Sequence, residues 1–330
     1  MRALIVRGTG DTLSWLFPIL AVLVGFVVLV WAADRFVLGS AAVARNLGVS
    51  PLVIGLTIVG FGTSAPEFLV SLMAALTGSS SLCVGNAIGS NITNITLVLG
   101  AAALTAPMTV VGSVLRRELP VLIGCMLLAT GLMLDGHLGR WDGWILVVAL
   151  VVMMGWVVWL GMRSENPDET NEEQPDRIGS GMAVFWIVVG LGLLMASSRA
   201  LVWGATTLAH RMGVSELVIG LSVVAVGTSL PELAASVMAA RRGEHEIAVG
   251  NVVGSNMFNV LGVLALPGIL APGEVEPVVL RRDLPVMFIT TLAFFLMTRF
   301  FLRPSHISRV EGAILVGCFV AYIASVYLMT

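Results

Sequence analysis

The chain is poor in charge and contains no lysine. Only 12% of its 330 residues are charged and all 18 basic residues are arginine, whereas about a quarter of the residues of an average soluble domain are charged. Hydrophobic residues make up 57% of the chain and the mean hydropathy is +0.98. Apolar runs of roughly 20 residues, long enough to cross a bilayer, recur along it. The composition predicts a polytopic protein that contacts the lipid bilayer and has no soluble domain or nucleic-acid partner.

Cysteine and histidine are also scarce. The three cysteines, Cys83, Cys125 and Cys318, lie far apart in apolar segments and lack CxxC spacing. The four histidines are scattered. This pattern argues against a disulfide framework and against a zinc or copper site. We therefore expect no cofactor, no enzymatic activity and no obligate protein partner.

The chain contains a tandem repeat with a constant offset of 165 positions. The stretch 62–67, Gly-Thr-Ser-Ala-Pro-Glu, returns at 227–232 as Gly-Thr-Ser-Leu-Pro-Glu. The stretch 85–91, Gly-Asn-Ala-Ile-Gly-Ser-Asn, returns at 250–256, and each copy is followed by a further asparagine, Asn94 or Asn259. Each copy thus places one carboxylate inside an apolar run, which is typical of an ion pathway built on a two-fold axis.

The hydropathy pattern predicts an all-α membrane protein with ten spans, five in each copy. The first copy, residues 1–165 with its motifs in 60–100, has spans at about 16–37, 51–77, 82–104, 119–136 and 142–162. The second copy, residues 166–330 with its motifs in 225–265, has spans at about 182–208, 216–241, 247–271, 285–301 and 309–328. An acidic linker at about 163–180 joins them. Because five is odd, the second copy enters the membrane from the opposite side, so the repeat is inverted.

One span of each copy is predicted to break near mid-membrane. Gly62 and Gly227 interrupt a helix, and Pro66 and Pro231 suit the first turn of a new one. Ser64 and Glu67 have the spacing of a capping box, and so do Ser229 and Glu232. A broken helix leaves main-chain oxygens without partners, which lipid tolerates only where they line a cavity or pack on protein.

The following helix presents polar groups at a similar depth. Asn86, Ser90 and Asn94 follow i, i+4, i+8 spacing and share a face, and the second copy repeats them as Asn251, Ser255 and Asn259. These asparagines are either ion ligands or polar groups that hold helices together. The glycines beside them form small-xxx-small strips for close helix packing: Gly85, Gly89, Gly250 and Gly254.

Folding the copies about the axis would bring Glu67 and Glu232 together with hydroxyl and amide oxygens. Such an oxygen set suits a hard cation such as calcium. Two carboxylates about 5 Å apart repel by roughly 3 kcal/mol at an effective dielectric constant of 20. An empty site is therefore unfavourable and must hold cations or protons, which is the physical requirement of an exchanger.

The paired GTSxPE and GNxxGSN stretches resemble the two alpha repeats of the sodium/calcium exchanger family, in its prokaryotic ten-span form. The resemblance covers nearly the whole chain and implies calcium/sodium antiport by alternating access. It implies that Glu67 and Glu232 are the central calcium carboxylates. It also implies that further ion ligands come from the following positions: Thr63, Ser64, Ser90, Asn94, Thr228, Ser229, Ser255, Asn259 and the main-chain oxygens of Gly60 and Ala225.

The chain departs from this family at one pair of positions. Many relatives carry aspartate at one of the places held here by Asn94 and Asn259. Proton-coupled and potassium-dependent exchange therefore stay open beside sodium coupling. The proton/calcium branch resembles GNxxE at the second stretch, and Gly89 and Gly254 at that position disfavour it. A cation channel is the remaining class, and inverted repeats with broken helices favour an antiporter over it.

The distribution of arginine gives an orientation. More arginines lie on the inside if the N-terminus is outside. We therefore expect an N-terminus outside. The resemblance to prokaryotic exchangers implies the cytoplasmic (inner) membrane of a prokaryote and calcium extrusion as the role.

Overall fold

A computed structural model describes residues 2–110, 114–163, 178–214, 225–300 and 306–329. In these residues the first copy forms α1 (Arg2–Leu47), α2 in two halves (Pro51–Thr63 and Ala65–Leu76), α3 (Ser80–Thr105), α4 (Val114–Glu118, continuing as Leu119–Met133) and α5 (Arg140–Arg163). The second copy forms α6 (Ser180–Arg211), α7 in two halves (Ala225–Thr228 and Leu230–Arg241), α8 (His245–Leu270), α9 (Val279–Asp283, continuing as Leu284–Phe300) and α10 (Arg309–Met329).

The prediction of an all-α polytopic fold with broken central helices is confirmed. Six of the described helices are long and apolar enough to cross a membrane, and α2, bent by 43° between its halves, makes a seventh. The helices α4 and α9 open with π-turns, so their regular α-helical parts are shorter. The predicted acidic linker and the first part of the span predicted at 216–241 lie largely outside the described residues.

The first span was predicted too short, because α1 continues ten residues beyond position 37 and ends at Leu47. Its charged pair, Asp34 and Arg35, is accommodated inside the helix. Asp34 pairs with Arg242 over 2.6 Å, and the Arg35 guanidinium lies 5.7 Å and 5.3 Å from the rings of Trp31 and Trp186. These partners offset the charges, so the helix continues through Asp34 and Arg35.

Helices α1 and α6 pack antiparallel along their length through glycines at equivalent positions. A Cβ on Gly39 would lie 2.7 Å from the main-chain oxygen of Ala183, and one on Gly204 would lie 2.7 Å from that of Pro18. Only glycine permits such backbone contact. The two helices therefore form one unit that contains one helix from each copy.

Helices α3 and α8 occupy the centre of the molecule. The most apolar stretches of these two helices are 78% and 89% buried, whereas those of α1, α5, α6 and α10 are 17–28% buried. The first half of α2 contacts α8 backbone to backbone, with the Cβ positions of Gly55 and Gly250 each 3.0 Å from the other residue's Cα. All motif residues of α8 are therefore buried, whereas those of α3 range from buried, such as Ser90 and Asn94, to exposed at Gly85.

Two small strand pairs join the copies at opposite ends. Strand β1 (Met108–Thr109) pairs antiparallel with β4 (His306–Ile307), and β2 (His137–Leu138) pairs antiparallel with β3 (Gly273–Glu274). Each copy contributes one strand to each pair. The two pairs follow the two-fold relation between the copies, and one lies at each end of the central helices.

Tight turns set the depth of the motif residues. Gly78 and Gly243 follow the second halves of α2 and α7 with φ values of +79° and +75°, a conformation that favours glycine. Each turn sends the next helix, α3 or α8, back antiparallel. The polar residues of α3 and α8 thus return to the level of Glu67 and Glu232, as the sequence predicts.

Candidate ion-binding site

Two buried carboxylates form the centre of the candidate site. Glu67 and Glu232 lie in the first turns of the second halves of α2 and α7, and both are 0% exposed. A carboxylate near a helix N-terminus is favoured by the helix dipole. In each carboxylate Oε1 accepts a hydrogen bond, while Oε2 has no hydrogen-bond partner among the described residues.

The two copies exchange hydrogen bonds at this centre. Ser64 Oγ donates to Glu232 Oε1 over 3.0 Å, and Ser229 Oγ donates to Glu67 Oε1 over 3.0 Å. Each serine thus contacts the carboxylate of the other copy. The structure therefore brings the two serines and two glutamates into one buried group.

The capping-box prediction is wrong for both serines. Ser64 and Ser229 occupy the N-cap positions, but neither makes a side-chain cap hydrogen bond. An N-cap usually has extended backbone geometry, whereas Ser64 has φ −79° and ψ 5°, and Ser229 has φ −87° and ψ 10°. The chain therefore stays nearly helical through the break, and the hydroxyls are left to donate across the copies.

A main-chain oxygen at the break faces the opposite copy. Ser255 Oγ donates to the oxygen of Gly60 over 3.0 Å. Gly60 permits this contact because a Cβ there would lie 2.9 Å from the amide nitrogen of Ser255. Ser90, the equivalent of Ser255, is also buried. Ala225, the equivalent of Gly60, is the first described residue of α7.

Asn94 and Asn259 are two further buried polar side chains of this region. Both are 0% exposed, and in each the amide nitrogen and the amide oxygen have no hydrogen-bond partner among the described residues. Each begins a π-turn, Asn94–Val98 and Asn259–Val263. Such π-turns inside helices are frequent at functional sites. Buried amides without partners are rare, so these two are candidates for ligand contact.

The arrangement is electrostatically incomplete without a cation or protons. Glu67 and Glu232 are fully buried, and each exposes one unpaired oxygen to the interior. An isolated buried carboxylate is costly unless it is paired, protonated or bound to a metal ion. The nearby hydroxyl, amide and main-chain oxygens are the ligand types that hard cations prefer.

Comparison with known proteins agrees with this geometry. A sequence profile of the family described as sodium/calcium exchanger protein matches residues 17–159 and 182–328, a large part of each copy. The chain belongs to the sodium/calcium exchanger family. It is therefore a multi-pass membrane protein of a cation/calcium antiporter family.

Three relatives of this exchanger match it over almost their whole length. The putative antiporter CaxA of Alkalimonas amylolytica is 45% identical over 305 residues, covering 91% of this chain and 96% of the relative. The inner membrane protein YrbG of Escherichia coli (strain K12) is 40% identical over 311 residues, covering 92% and 95%. The sodium/calcium exchanger MaX1 of Methanosarcina acetivorans is 30% identical over 345 residues, covering 93% and 98%.

The fold of the exchanger is also close to a solved one. The sodium-calcium exchanger NCX_Mj, soaked with 2.5 mM Na⁺ and 0.1 mM Ca²⁺, superimposes with a TM-score of 0.81 at 32% identity. The match covers 93% of this chain and 98% of that chain. It supports the ten-span inverted repeat directly.

The four asparagines of the repeated motif differ in their hydrogen bonding. The amides of Asn94 and Asn259 have no hydrogen-bond partner within the described part of the chain, whereas those of Asn86 and Asn251 donate to other protein groups. The sequence pattern left the role of all four open and did not single out Ser71 and Ser236, which are 0% exposed and accept hydrogen bonds from the amides of Asn86 and Asn251. Their position one turn after each glutamate, on the same helix face, was the available signal.

The structure places the two predicted threonines at the breaks. Thr63 is 0% exposed and donates to Asn251 Oδ1 over 3.0 Å, while Thr228 ends the first described half of α7. Pro66 and Pro231 lie in the first turn of each second half, as predicted.

The structure gives the predicted packing glycines different surroundings. Gly62 lies against Leu191, and a Cβ on Gly227 would overlap Val202. The predicted close packing holds at Gly250 and at Gly254, where a Cβ would overlap the main chain of Leu56. Gly250 and Gly254 pack against the first half of α2. By the repeat, Gly85 and Gly89 would pack against the segment 215–224, which lies outside the described residues, so close packing at those two stays a prediction.

Proposed function

We propose that this exchanger couples calcium movement in one direction to sodium movement in the other, by alternating access to one central site. The observation that carries the proposal is the reciprocal contact of Ser64 with Glu232 and of Ser229 with Glu67. It makes one site from both copies, with two negative charges available to a single divalent ion. The names of MaX1 and NCX_Mj, both sodium/calcium exchangers, support sodium as the counter-ion.

We assign the ion ligands to three groups. The carboxylates of Glu67 and Glu232 bind calcium. Hydroxyl groups and main-chain oxygens at the breaks and on α3 and α8 complete the calcium and sodium ligands. This second set comprises Thr63, Ser64, Ser90, Thr228, Ser229, Ser255, Gly60 and Ala225. The amides of Asn94 and Asn259 are the uncharged ligands on the two sides of the site, called here the neutral corners. Each copy, 1–165 and 166–330, thus supplies half of the site.

Proton-coupled exchange is the second candidate. Two fully buried carboxylates with unpaired oxygens can hold protons as well as cations. Potassium dependence and a passive channel complete the alternatives. A channel needs no opposing gradient, so the requirement for one separates it from the antiporters.

One transport measurement tests these possibilities. Purified protein is reconstituted into liposomes, and calcium-45 uptake is followed with sodium, potassium or pH gradients imposed separately. Uptake that requires internal sodium supports the proposal. Uptake that a pH gradient drives in the absence of sodium overturns it in favour of proton coupling, and uptake without any gradient indicates a channel.

For cellular placement we propose the cytoplasmic (inner) membrane of a prokaryote, with the N-terminus outside and calcium extrusion as the physiological direction. The arginine distribution and the name of the relative YrbG, an inner membrane protein, support this placement. Fusion of a reporter that is active on one side only to each terminus tests the orientation. With ten spans, both termini should report the same side.

A further inference from the structure

An asparagine of α3 holds the main chain of Glu67. Asn86 Nδ2 donates to the main-chain oxygen of Glu67 over 3.0 Å and to Ser71 Oγ over 2.9 Å. Ser71 follows Glu67 by four residues, so both acceptors lie on one face of the second half of α2. The amide therefore contacts that helix at two levels, the turn that carries the glutamate and the turn after it.

The second copy repeats this contact and extends it. Asn251 Nδ2 donates to the main-chain oxygen of Glu232 over 3.2 Å and to Ser236 Oγ over 2.8 Å. The oxygen of the same amide accepts from Thr63 Oγ1 over 3.0 Å. Asn251 thus joins three segments: its own helix α8, the second half of α7, and the break of α2 in the other copy.

These contacts differ in kind from those expected of an ion ligand. A cation binds lone pairs, and the amide N–H groups of Asn86 and Asn251 are engaged with main-chain and serine oxygens. The oxygen of Asn251 is engaged with Thr63. The two asparagines therefore contact the segments that carry the carboxylates, and the carboxylates themselves reach across to Ser64 and Ser229.

Two contacts on one helix face fix both the depth and the rotation of that helix. Calcium–oxygen distances fall in a narrow range of about 2.3–2.6 Å, and binding geometry must be held to within roughly 0.5 Å to be effective. A small rotation of the first turn after either break would move Glu67 or Glu232 by more than this tolerance. Groups that prevent the rotation therefore control ion affinity without contacting the ion.

We infer that the Asn86–Ser71 and Asn251–Ser236 pairs are positioning residues, which fix the rotation of the two glutamate-bearing turns and thereby set the affinity for the transported cation. The inference rests on the proposed function, in which Glu67 and Glu232 bind that cation. Through Thr63, Asn251 also links the placement of Glu232 to the break in the other copy. The position of one carboxylate thus depends on the conformation of both copies.

The serine variants Ser71→Ala and Ser236→Ala give the cleanest test. Each removes one of the two contacts while the asparagine keeps the other, so folding is expected to survive. Ser40→Ala is the matched control, because Ser40 is also 0% exposed but donates to Phe36 within its own helix. Asn251→Ala is the stronger variant, because it removes both contacts with the second half of α7 and the contact with Thr63.

The predicted signature is a change of affinity with little change of maximal rate. In sodium-loaded proteoliposomes, the half-saturating calcium concentration should rise about three- to tenfold in Ser71→Ala and Ser236→Ala, the size expected for one lost hydrogen bond. The maximal rate should stay within about twofold, and Ser40→Ala should match the wild type. An unchanged half-saturating concentration in both serine variants would overturn the inference, as would a fall in maximal rate alone.

A binding measurement separates this inference from the proposed function. Cation binding to the native state raises the unfolding temperature by an amount that depends on affinity, so the stabilisation of purified protein by calcium or sodium is measured without transport. If the wild type is stabilised by cations but shows no sodium-driven calcium uptake, the proposed function fails. The positioning role is then still decided by whether the serine variants need about three- to tenfold more cation for the same stabilisation. Equal cation requirements in the variants and the wild type would overturn the positioning role alone.

Discussion

Ser64 Oγ donates a hydrogen bond to Glu232 Oε1 over 3.0 Å, although 168 residues separate the two in sequence. The equivalent Ser229 makes the same contact with Glu67 over 3.0 Å. Neither copy could build this group alone, because each carboxylate takes its serine partner from the other copy. Such an arrangement is suited to a single site that can face either side of the membrane.

The first prediction concerns the carboxylates. Glu67→Gln and Glu232→Gln should each reduce calcium transport to background, because each carboxylate supplies half of the negative charge that faces one divalent ion. Calcium-45 flux in proteoliposomes measures this. Glu276→Gln, an exposed carboxylate on the loop before α9, should behave as the wild type. Near-normal flux in either buried variant would rule out the assigned site.

The second prediction concerns the exchange of contacts between copies. Ser64→Ala and Ser229→Ala should both weaken calcium binding by about tenfold or more, since a hydrogen bond to a charged group contributes roughly 1.5–3 kcal/mol. The half-saturating calcium concentration is the quantity to measure. Ser197→Ala, which removes a buried hydroxyl bonded within α6, is the control. If only one copy proves sensitive, the site is not shared across the axis.

The third prediction concerns the neutral corners. Asn259→Asp should make transport more sensitive to acid, because a third buried carboxyl group would have to ionise beside two others and like charges disfavour ionisation. Protons bound at low pH would then compete with the cations. The rate is compared across pH with the wild type and with Asn46→Asp, an exposed asparagine. Identical pH profiles would place Asn259 outside the site.

The fourth prediction concerns voltage. With asparagine at both corners the site carries two negative charges, which one calcium ion neutralises and three sodium ions would exceed by one. One charge that crosses the membrane is worth about 2.3 kcal/mol per 100 mV. If three sodium ions exchange for each calcium ion, valinomycin-imposed potassium potentials should change the initial rate of uptake several-fold. A rate indifferent to voltage, with a strict two-sodium ratio, would show instead that the missing carboxylate removed a sodium site.

The fifth prediction concerns helix packing. Gly254→Ala should lower the free energy of unfolding by about 1–3 kcal/mol, because the added methyl group would overlap the main chain of Leu56. The thermal unfolding of purified protein measures the loss. Gly155→Ala on α5 is the control, since a Cβ there meets no described atom within 4 Å. Equal unfolding temperatures in the two variants would show that the contact between α2 and α8 is looser than the structure indicates.

The sequence predicted the fold because hydropathy and the repeat are properties of the chain itself. The constant offset of 165 positions identified Glu67 and Glu232 as equivalent, and the odd number of spans per copy made the repeat inverted. The breaks followed from the local chemistry of Gly62 and Pro66. The length of α1 was missed, because the partners that accommodate Asp34 and Arg35 come from distant helices.

A repeat shows which residues are equivalent, but it does not show which copy each one contacts. Ser64 and Glu67 have the spacing of a capping box, yet Ser64 pairs with Glu232, because the packing of the halves places that carboxylate within 3.0 Å. Asn86 and Asn94 share one face of α3, but Asn86 lies opposite the main chain of Glu67, whereas both polar atoms of Asn94 lack partners among the described residues. The sequence by itself therefore determined the all-α architecture, the inverted repeat and the equivalence of the two carboxylates. Only the tertiary structure decided which polar groups bond to one another and which lack partners among the described residues, because hydrogen-bond partners depend on distances between helices that no local pattern encodes.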